Sequence, residues 1–165
     1  MTTPCGHVTR TLQERSQSIN NLDPSVRNSA PLTREEVEHA AAALVAAFAA
    51  TDTQAYFASF APETEFVFHT ESERLPDRAS YERLWQSWLD AGWRVTACES
   101  SNARVHLLGD AAVFVHDVRT TTETDGAPST TFERETIVFA RASDGGIVAV
   151  HEHLSAQPAQ VGDES

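Results

Sequence analysis

The sequence predicts an α+β fold in which a curved sheet wraps around a helix and encloses a pocket. Helical patterns are confined to residues 33–92, and long extended runs fill residues 93–155. Two turn signals divide the extended half into a meander: Thr124-Asp125-Gly126-Ala127-Pro128 and Ser143-Asp144-Gly145-Gly146. A meander behind a helical first half is typical of a sheet that bends around the helices.

The first helix is expected to begin after Thr33, because Thr33 and Glu36 form a capping-box pattern. An apolar stripe follows at helical spacing, made of Val37, Ala41, Leu44, Val45 and Phe48. Asp52 is a candidate cap for a second, short helix, and Pro76-Asp77 opens a third that Gly92 terminates. The sequence therefore predicts three helices before the meander.

The strands are predicted from alternating and β-branched runs bounded by turn residues. They cover residues 65–69, 93–99, 103–108, 111–122, 130–141 and 147–155. Residues 1–31 are polar and predict a flexible N-terminal arm, and residues 157–165 form a polar tail. One domain is therefore expected over residues 32–156.

The composition limits the partners and the location of the protein. The formal net charge of the 165 residues is −12, and all 12 basic residues are Arg. An acidic surface repels phosphate backbones and anionic lipids, so neither nucleic acid nor membrane is an expected partner. No apolar run is long enough to span a bilayer, and no signal peptide is recognisable. Cys5 and Cys98 lie too far apart in unlike segments to suggest a disulfide, so we expect a cytoplasmic protein.

The parity of the strands predicts which residues face the pocket. If the turn is centred near Ala127, Arg119 lies opposite Glu135, and the two opposite charges attract. The same face then carries Val113, Val115, Asp117 and Arg119 on one strand, and Glu133, Glu135, Ile137 and Phe139 on the next. This mixed face suits a cavity with an apolar deep end and a polar mouth. A slip of one residue in the register would invert the assignment.

Several segments of the chain are similar to a known superfamily. They are Asn102-Ala103-Arg104-Val105-His106-Leu107-Leu108-Gly109-Asp110, then Val118-Arg119, Asp125-Gly126 and Glu135-Thr136, and finally Val150-His151-Glu152-His153-Leu154-Ser155. From Thr33 to Pro158 the chain resembles the nuclear-transport-factor-2-like superfamily, which includes ketosteroid isomerases and SnoaL-type polyketide cyclases. Within it, the chain is most similar to the association domain of calcium/calmodulin-dependent protein kinase II and its bacterial relatives.

The resemblance implies a cone-shaped barrel, a strongly curved antiparallel sheet wrapped around N-terminal helices, and homodimers that pair through their sheets. It also implies a pocket that binds small carboxylates through several arginines and a histidine. Arg119 matches one of those arginines. Ile137 and Leu154 stand where others would be, and Glu82 stands where the histidine would be. The pocket is therefore expected to be more apolar and less positive than that of the association domain.

The remaining candidate residues each allow a functional and a structural interpretation. Asp117, Glu135 and Glu152 are candidate general bases if the cavity is dry enough to raise their pKa values. Trp85 and Trp88 share a helix face and either stack on a ligand or fill the core. His69 ends the first strand near the expected mouth of the pocket, where it could touch a ligand.

Two pairs of residues are predicted to have structural roles. His151 and His153 have the spacing of a metal pair on a strand. No third ligand follows, and the resemblance implies that both side chains point outward, toward the sheet face that pairs subunits, so hydrogen-bonded histidines at a dimer interface are favoured. Tyr56 and Tyr81 are interpreted as packing residues, because spacing ties neither of them to a base.

The sequence thus favours a protein that binds a small, largely apolar ligand, with one polar group of that ligand near Arg119. No organic cofactor and no metal are expected. One alternative is a cofactor-independent isomerase, cyclase or dehydratase that uses a pocket carboxylate as its base. The other is an oligomeric assembly module in which the pocket has no function.

Overall fold

The fold is known from a computed structural model, which describes residues 30–158 of the chain. Three helices precede the main part of the sheet: α1 (Arg34–Ala49), α2 (Thr53–Ala58) and α3 (Arg78–Asp90). The caps confirm the three predicted starts, since Thr33 and Glu36 form the capping box and Asp52 and Asp77 accept from backbone N–H groups. Only the last two residues of the predicted arm, and two residues of the predicted tail, lie within the described range.

The five strands form one sheet in the order β1-β5-β4-β3-β2. Their bounds are β1 Phe60–Phe68, β2 Trp93–Leu107, β3 Ala111–Thr124, β4 Ala127–Arg141 and β5 Ile147–Ala156. The α+β class and the curved sheet are confirmed, but two details of the prediction are wrong. The sheet is open rather than closed into a barrel, and β1 runs parallel to β5. β1 precedes α3 and the meander in the chain. It joins the sheet beside β5, at the edge opposite β2, and in this position it runs parallel to β5.

The β3–β4 hairpin turns on two residues only. Asp125 and Gly126 both have positive φ angles, of 48° and 82°, and Thr124 pairs directly with Ala127. Two successive residues with positive φ are typical of the type I′ turn that an Asp-Gly pair favours. The predicted centre at Ala127 is therefore wrong, and the two strands run up to the turn on both sides.

This turn changes the face that β3 presents to the interior. His116 lies opposite Glu135, and Arg119 lies opposite Phe132. The inner face of β4 is the predicted one, because Glu133, Glu135, Ile137 and Phe139 are all buried. On β3, the inner residues are those that the prediction placed outside, namely Ala112, Phe114, His116, Val118 and Thr120. Asp117 and Arg119 lie on the outer face, so the predicted pairing of Arg119 with Glu135 is wrong.

Strand β2 is continuous where the sequence predicted two strands. Its register against β3 shifts between Ser101 and Arg104, and Asn102 has a φ angle of 53°. This irregularity is a bulge, which bends the strand and increases its twist without ending the ladder. The bend allows β2 to follow α1, which packs against it.

The helices cover the inner face of the sheet, and aromatic side chains fill the core between them. Trp85 is completely buried and stacks on Tyr56 at a ring-centroid distance of 5.1 Å and an interplanar angle of 24°. Around this pair pack Phe57, Phe60, Phe66 and Tyr81. No helix within residues 30–158 is both long and apolar enough to cross a lipid bilayer.

Candidate functional site

A cavity of about 330 Å³ opens between α1, α3 and the inner face of the sheet. Aromatic and aliphatic side chains form most of its wall, and acidic groups interrupt them. Its lining is Leu44, Val45, Phe48, Tyr56, Phe68, Thr70, Glu71, Tyr81, Trp88, Trp93, Cys98, Val118, Thr120, Thr122, Thr131, Glu133, Glu135, Glu152 and Leu154. Four of the lining residues, Leu44, Tyr56, Phe68 and Tyr81, also belong to the hydrophobic core, so the cavity is continuous with the core packing.

Strand β4 contributes Glu135, whose carboxylate is held from the side of β3. His116 is opposite Glu135 in the ladder, and its Nε2 forms a short hydrogen bond with Oε2 of Glu135. The other ring nitrogen, Nδ1, lies 2.6 Å from Oγ of Ser100 on β2. The chain of contacts Ser100–His116–Glu135 spans three strands, from exposed Ser100 to His116 and Glu135, which are only 3% and 8% exposed. The arrangement fixes the orientation of Glu135 toward the cavity.

Strand β5 contributes Glu152, which is 2% exposed. Burial raises the pKa of Glu152 well above its usual 4.5, and the neighbouring carboxyl group of Glu135 raises it further by charge repulsion and hydrogen bonding. Oε2 of Glu152 has no hydrogen-bond partner within the described residues. Two carboxyl groups close together in a buried cavity cannot both ionise easily, so burial and the neighbouring carboxyl group both favour the protonated form of Glu152. An unpartnered oxygen at this depth is a place for a ligand to bind.

Two tyrosines complete the deep end of the cavity. The hydroxyl groups of Tyr56 on α2 and Tyr81 on α3 lie 3.4 Å apart, and both residues line the cavity. Burial raises the pKa of each well above 10, and the charges of Glu152 and Glu135 add to the effect. Both hydroxyl groups therefore stay protonated and can donate hydrogen bonds to an oxygen or nitrogen atom of a ligand.

A third buried carboxylate, Glu133, lies toward the mouth. Its Oε1 is 2.7 Å from Nε2 of His69, and its Oε2 accepts a hydrogen bond of 3.0 Å from Thr131. The predicted position of His69 near the mouth agrees with this contact, although His69 reaches the cavity only through Glu133. Glu71 lines the same region from the segment that follows β1.

The cavity brings together four of the residues that the sequence offered as possible bases or ligand contacts, namely Trp88, Glu135, Glu152 and Leu154. It excludes Arg119, which forms an ion pair with Glu99 at 3.2 Å on the outer face and has 47% of its side chain exposed. It also excludes Asp117, which accepts a hydrogen bond from Asn102 on the same outer face. Both predicted positions were wrong for one reason, the inverted face of β3.

Three further candidates lie near the cavity without lining it. Ile137 and Trp85 are fully buried in the core, and the indole N–H of Trp85 donates to the Thr53 hydroxyl group at 2.9 Å. Glu82 forms an ion pair with Arg78 at 3.2 Å, one helical turn away. Trp85 and Trp88 share a helix face but have different positions: Trp85 packs in the core, and Trp88 lines the cavity.

Sequence reasoning missed His116, and although the predicted packing role of Tyr56 and Tyr81 is confirmed, it did not predict that both also line the cavity. The Asp-Gly pair at residues 125–126 carried the signal for His116, because a two-residue turn places it opposite Glu135. No comparable signal existed for Tyr56 and Tyr81, which come from different helices and meet only in the folded chain. Within the described part of the chain, no three His, Cys, Asp or Glu side chains are arranged to hold a metal ion.

Comparison with known proteins agrees with this architecture. The family model described as SnoaL-like domain matches residues 37–160 of the chain. None of the curated proteins searched matches significantly.

Solved structures with the same fold are numerous. An NTF2-like protein of unknown function in nutrient uptake from Rhodospirillum rubrum has a TM-score of 0.65 and 22% identity, over 74% of this chain and 98% of that chain. A nuclear transport factor 2 superfamily protein from Salmonella enterica has a TM-score of 0.67 and 20% identity, over 79% and 94%. An NTF2-like protein with a cystatin-like fold from Novosphingobium aromaticivorans has a TM-score of 0.60 and 15% identity, over 92% and 93%. At these identities, the likeness establishes the fold alone.

Proposed function

The chain belongs to the SnoaL-like domain family, and from this starting point we propose that it binds a small, largely apolar molecule and catalyses proton transfer on it without a cofactor. The family fold provides the cavity, and the residues that line it suggest the chemistry. Isomerisation, cyclisation and dehydration are the reaction types that two proton-transfer groups can support by themselves.

The observation that carries the proposal is the buried carboxyl pair Glu135 and Glu152 in a largely apolar cavity. Enzymes place two titratable groups in environments that separate their pKa values, so that one acts as base and the other as acid. Here a hydrogen bond with His116 holds the Glu135 carboxylate in place, whereas Glu152 has no partner at Oε2 and burial raises its pKa. Glu135 is therefore the base and Glu152 the acid of the proposed reaction.

The tyrosines extend this assignment. When a base removes a proton next to a carbonyl group, negative charge develops on the carbonyl oxygen and needs hydrogen-bond donors. The hydroxyl groups of Tyr56 and Tyr81, with the protonated carboxyl group of Glu152, are the donors at the deep end of the cavity. The apolar wall holds the rest of the substrate and keeps water away.

A neutral probe tests the base without knowledge of the natural substrate. A base in an apolar site opens nitrobenzisoxazole to a coloured cyanonitrophenolate by removing one C–H proton while the N–O bond breaks. We expect the wild-type protein to catalyse this opening and Glu135→Gln to reduce the rate about 100-fold, the lower range for a general base. Binding of the probe, measured by its effect on tryptophan fluorescence, should change little in this variant.

Asp117→Asn is the matched control, because it removes one carboxylate from the outer face of the neighbouring strand. Its rate should equal that of the wild type. Equal rates for wild type and Glu135→Gln would refute the proposed base, provided that circular dichroism shows both proteins to be folded.

Binding without turnover is the second candidate function. It is favoured by the wall of the cavity, where apolar and aromatic side chains outnumber the polar ones. In that case Glu152 and the tyrosines orient a bound molecule, and ligand-dependent melting shifts should persist in Glu135→Gln. Glu152, Tyr56 and Tyr81 then bind the polar group of the ligand, a role that the sequence assigned to Arg119.

We further propose that two copies pair through the outer face of the sheet. The helices lie on the inner face, so the outer face has no cover within the described chain. His151 and His153 lie on this outer face beside Glu152, which points inward. Light scattering at micromolar concentration should give the mass of a dimer, and His153→Asp should shift it toward the monomer. A monomer mass for the wild type would end this part of the proposal, and with it the alternative of an assembly module.

A further inference from the structure

The cavity wall contains acidic side chains and no basic side chain among its described lining residues. Four carboxyl groups line it, Glu71 and Glu133 toward the mouth and Glu135 and Glu152 at depth. None of the described lining residues is an arginine, a lysine or a histidine. Arg119 would have supplied a guanidinium, but it lies on the outer face, where it pairs with Glu99.

The basic groups behind the wall offset this charge only in part. His69 contacts Glu133 and His116 contacts Glu135, each as a single imidazole on a single carboxylate. Glu71 accepts a hydrogen bond from Thr70 and has no described ion-pair partner, so the negative charge at the mouth does not depend on Glu152, whose raised pKa favours its neutral form. The formal net charge of −12 for the whole chain adds to the negative potential. An anionic ligand would be repelled, and a cationic one would be attracted.

Aromatic rings occupy the same cavity. Trp88 and Trp93 lie 5.3 Å apart between ring centroids at an angle of 53°, and Phe48 lies 6.4 Å from Trp93 at 58°. All three rings line the cavity. The faces of aromatic rings attract organic cations, and Trp does so most strongly.

We infer that the ligand of this cavity carries a basic nitrogen that is cationic at neutral pH, on an aromatic or aliphatic body small enough for about 330 Å³. The rings of Phe48, Trp88 and Trp93 and the mouth carboxylates Glu71 and Glu133 hold the ammonium group. The carboxyl groups of Glu135 and Glu152 face the rest of the molecule. The inference rests on the proposed function, because it names the class of substrate for the same cavity. A substrate of this class undergoes proton transfer next to its nitrogen, as in the tautomerisation of an imine to an enamine.

Three indoles of nearly equal size and different charge separate the possibilities. They are tryptamine, which is cationic, tryptophol, which is neutral, and indoleacetate, which is anionic. We expect calorimetric titration at neutral pH to show tryptamine binding at least about tenfold more tightly than tryptophol, a cation–π and charge effect. Indoleacetate should bind most weakly. Added salt should reduce the preference, since partly exposed charges are screened.

Variants assign the preference to the wall of the cavity. Glu71→Gln and Glu133→Gln should each lower the ratio of the tryptamine and tryptophol affinities severalfold, and Glu99→Gln on the outer face should leave it unchanged. Equal binding of the three indoles, tighter binding of indoleacetate, or no binding of tryptamine at millimolar concentration overturns the inference. The nitrobenzisoxazole probe is neutral, so proton transfer can succeed or fail independently of this result.

Discussion

His116 on β3 and Glu135 on β4 lie opposite each other in the sheet, and the hydrogen bond between them holds a carboxyl group that lines the cavity. His116 is shielded from solvent, and Glu135 is 8% exposed. A buried carboxylate is tolerated because the imidazole satisfies it, and the imidazole is in turn satisfied by Ser100. The same contact thus serves stability and the proposed chemistry.

Removal of the imidazole should destabilise the protein strongly. His116→Ala leaves the Glu135 carboxyl group buried without its partner, for which a cost of about 3 kcal/mol or more is expected. Ser100→Ala removes a neutral hydrogen bond at the exposed end of the chain of contacts and should cost about 1 kcal/mol. Urea denaturation at neutral pH measures both values.

The double variant His116→Ala with Glu135→Ala separates this effect from loss of packing. If the buried charge causes the cost, the double variant should lose less stability than the sum of the two single variants. Additive losses would contradict the interpretation of His116 and Glu135 as a coupled pair.

The helices and the inner face of β4 were predictable because they depend on local signals. Thr33, Asp52 and Asp77 cap their helices by contacts within three residues, and alternation along β4 identifies its buried side. The face of β3 depended on one turn. A turn centred at Ala127 instead of between Asp125 and Gly126 was enough to put Arg119 inside and His116 outside.

The carboxyl groups of the site, Glu135 and Glu152, were predicted from local strand patterns, but their contacts were not. Glu135 and Glu152 were candidates because each lies on a strand near the expected pocket. The contact between them depends on the pairing of β4 with β5, and their contact with Tyr56 and Tyr81 depends on the packing of two helices against the sheet. Spacing in the sequence does not encode such contacts.

Glu152 should make the stability of the protein fall as the pH rises. Because burial and Glu135 raise its pKa in the folded state, the folded protein keeps a proton that the unfolded chain releases above about 4.5. The contribution of Glu152 to stability is then fully present below that value and is lost as the pH rises, by up to about 1.4 kcal/mol per pH unit, until the folded-state pKa is passed. Glu152→Gln cannot release a proton, so its stability relative to the wild type should increase as the pH rises above about 4.5.

The control for this effect is Glu99→Gln, which neutralises a carboxylate on the outer face. Urea denaturation at several pH values should give it nearly the same pH dependence as the wild type. A constant difference between Glu152→Gln and the wild type over this range would show that Glu152 ionises normally.

Arg119→Ala should have little effect on either stability or binding. The ion pair of Arg119 with Glu99 is exposed on both sides, 47% and 65%, and such pairs contribute less than about 1 kcal/mol. Its guanidinium also lies 5.9 Å from the ring centroid of exposed Phe132, a contact of similar weakness. Tryptamine affinity and the rate of nitrobenzisoxazole opening should match those of the wild type. A large loss of tryptamine affinity or of the opening rate in Arg119→Ala would show that Arg119 takes part in the site.

Glu36 should make the protein sensitive to acid. Hydrogen bonds from the backbone and side chain of Thr33, and then from Arg141, lower the pKa of Glu36 from 4.5 to about 2. Arg141 reaches both carboxylate oxygens, at 3.0 and 3.1 Å, and also donates to the carbonyl groups of Ala30 and Pro31. A lowered pKa stabilises the folded state above about 4.5, and this contribution is lost as the pH falls toward 2.

Melting temperatures of Glu36→Gln across this range test the effect. The variant should melt below the wild type at neutral pH, and the gap should close as the pH approaches 2. Glu35→Gln removes the same charge from the neighbouring exposed position of α1, where no described contact holds the carboxylate, and should show a much smaller gap. If Glu35→Gln and Glu36→Gln lower the melting temperature equally, the effect arises from the acidic first turn of the helix and not from the contacts of Glu36 with Thr33 and Arg141.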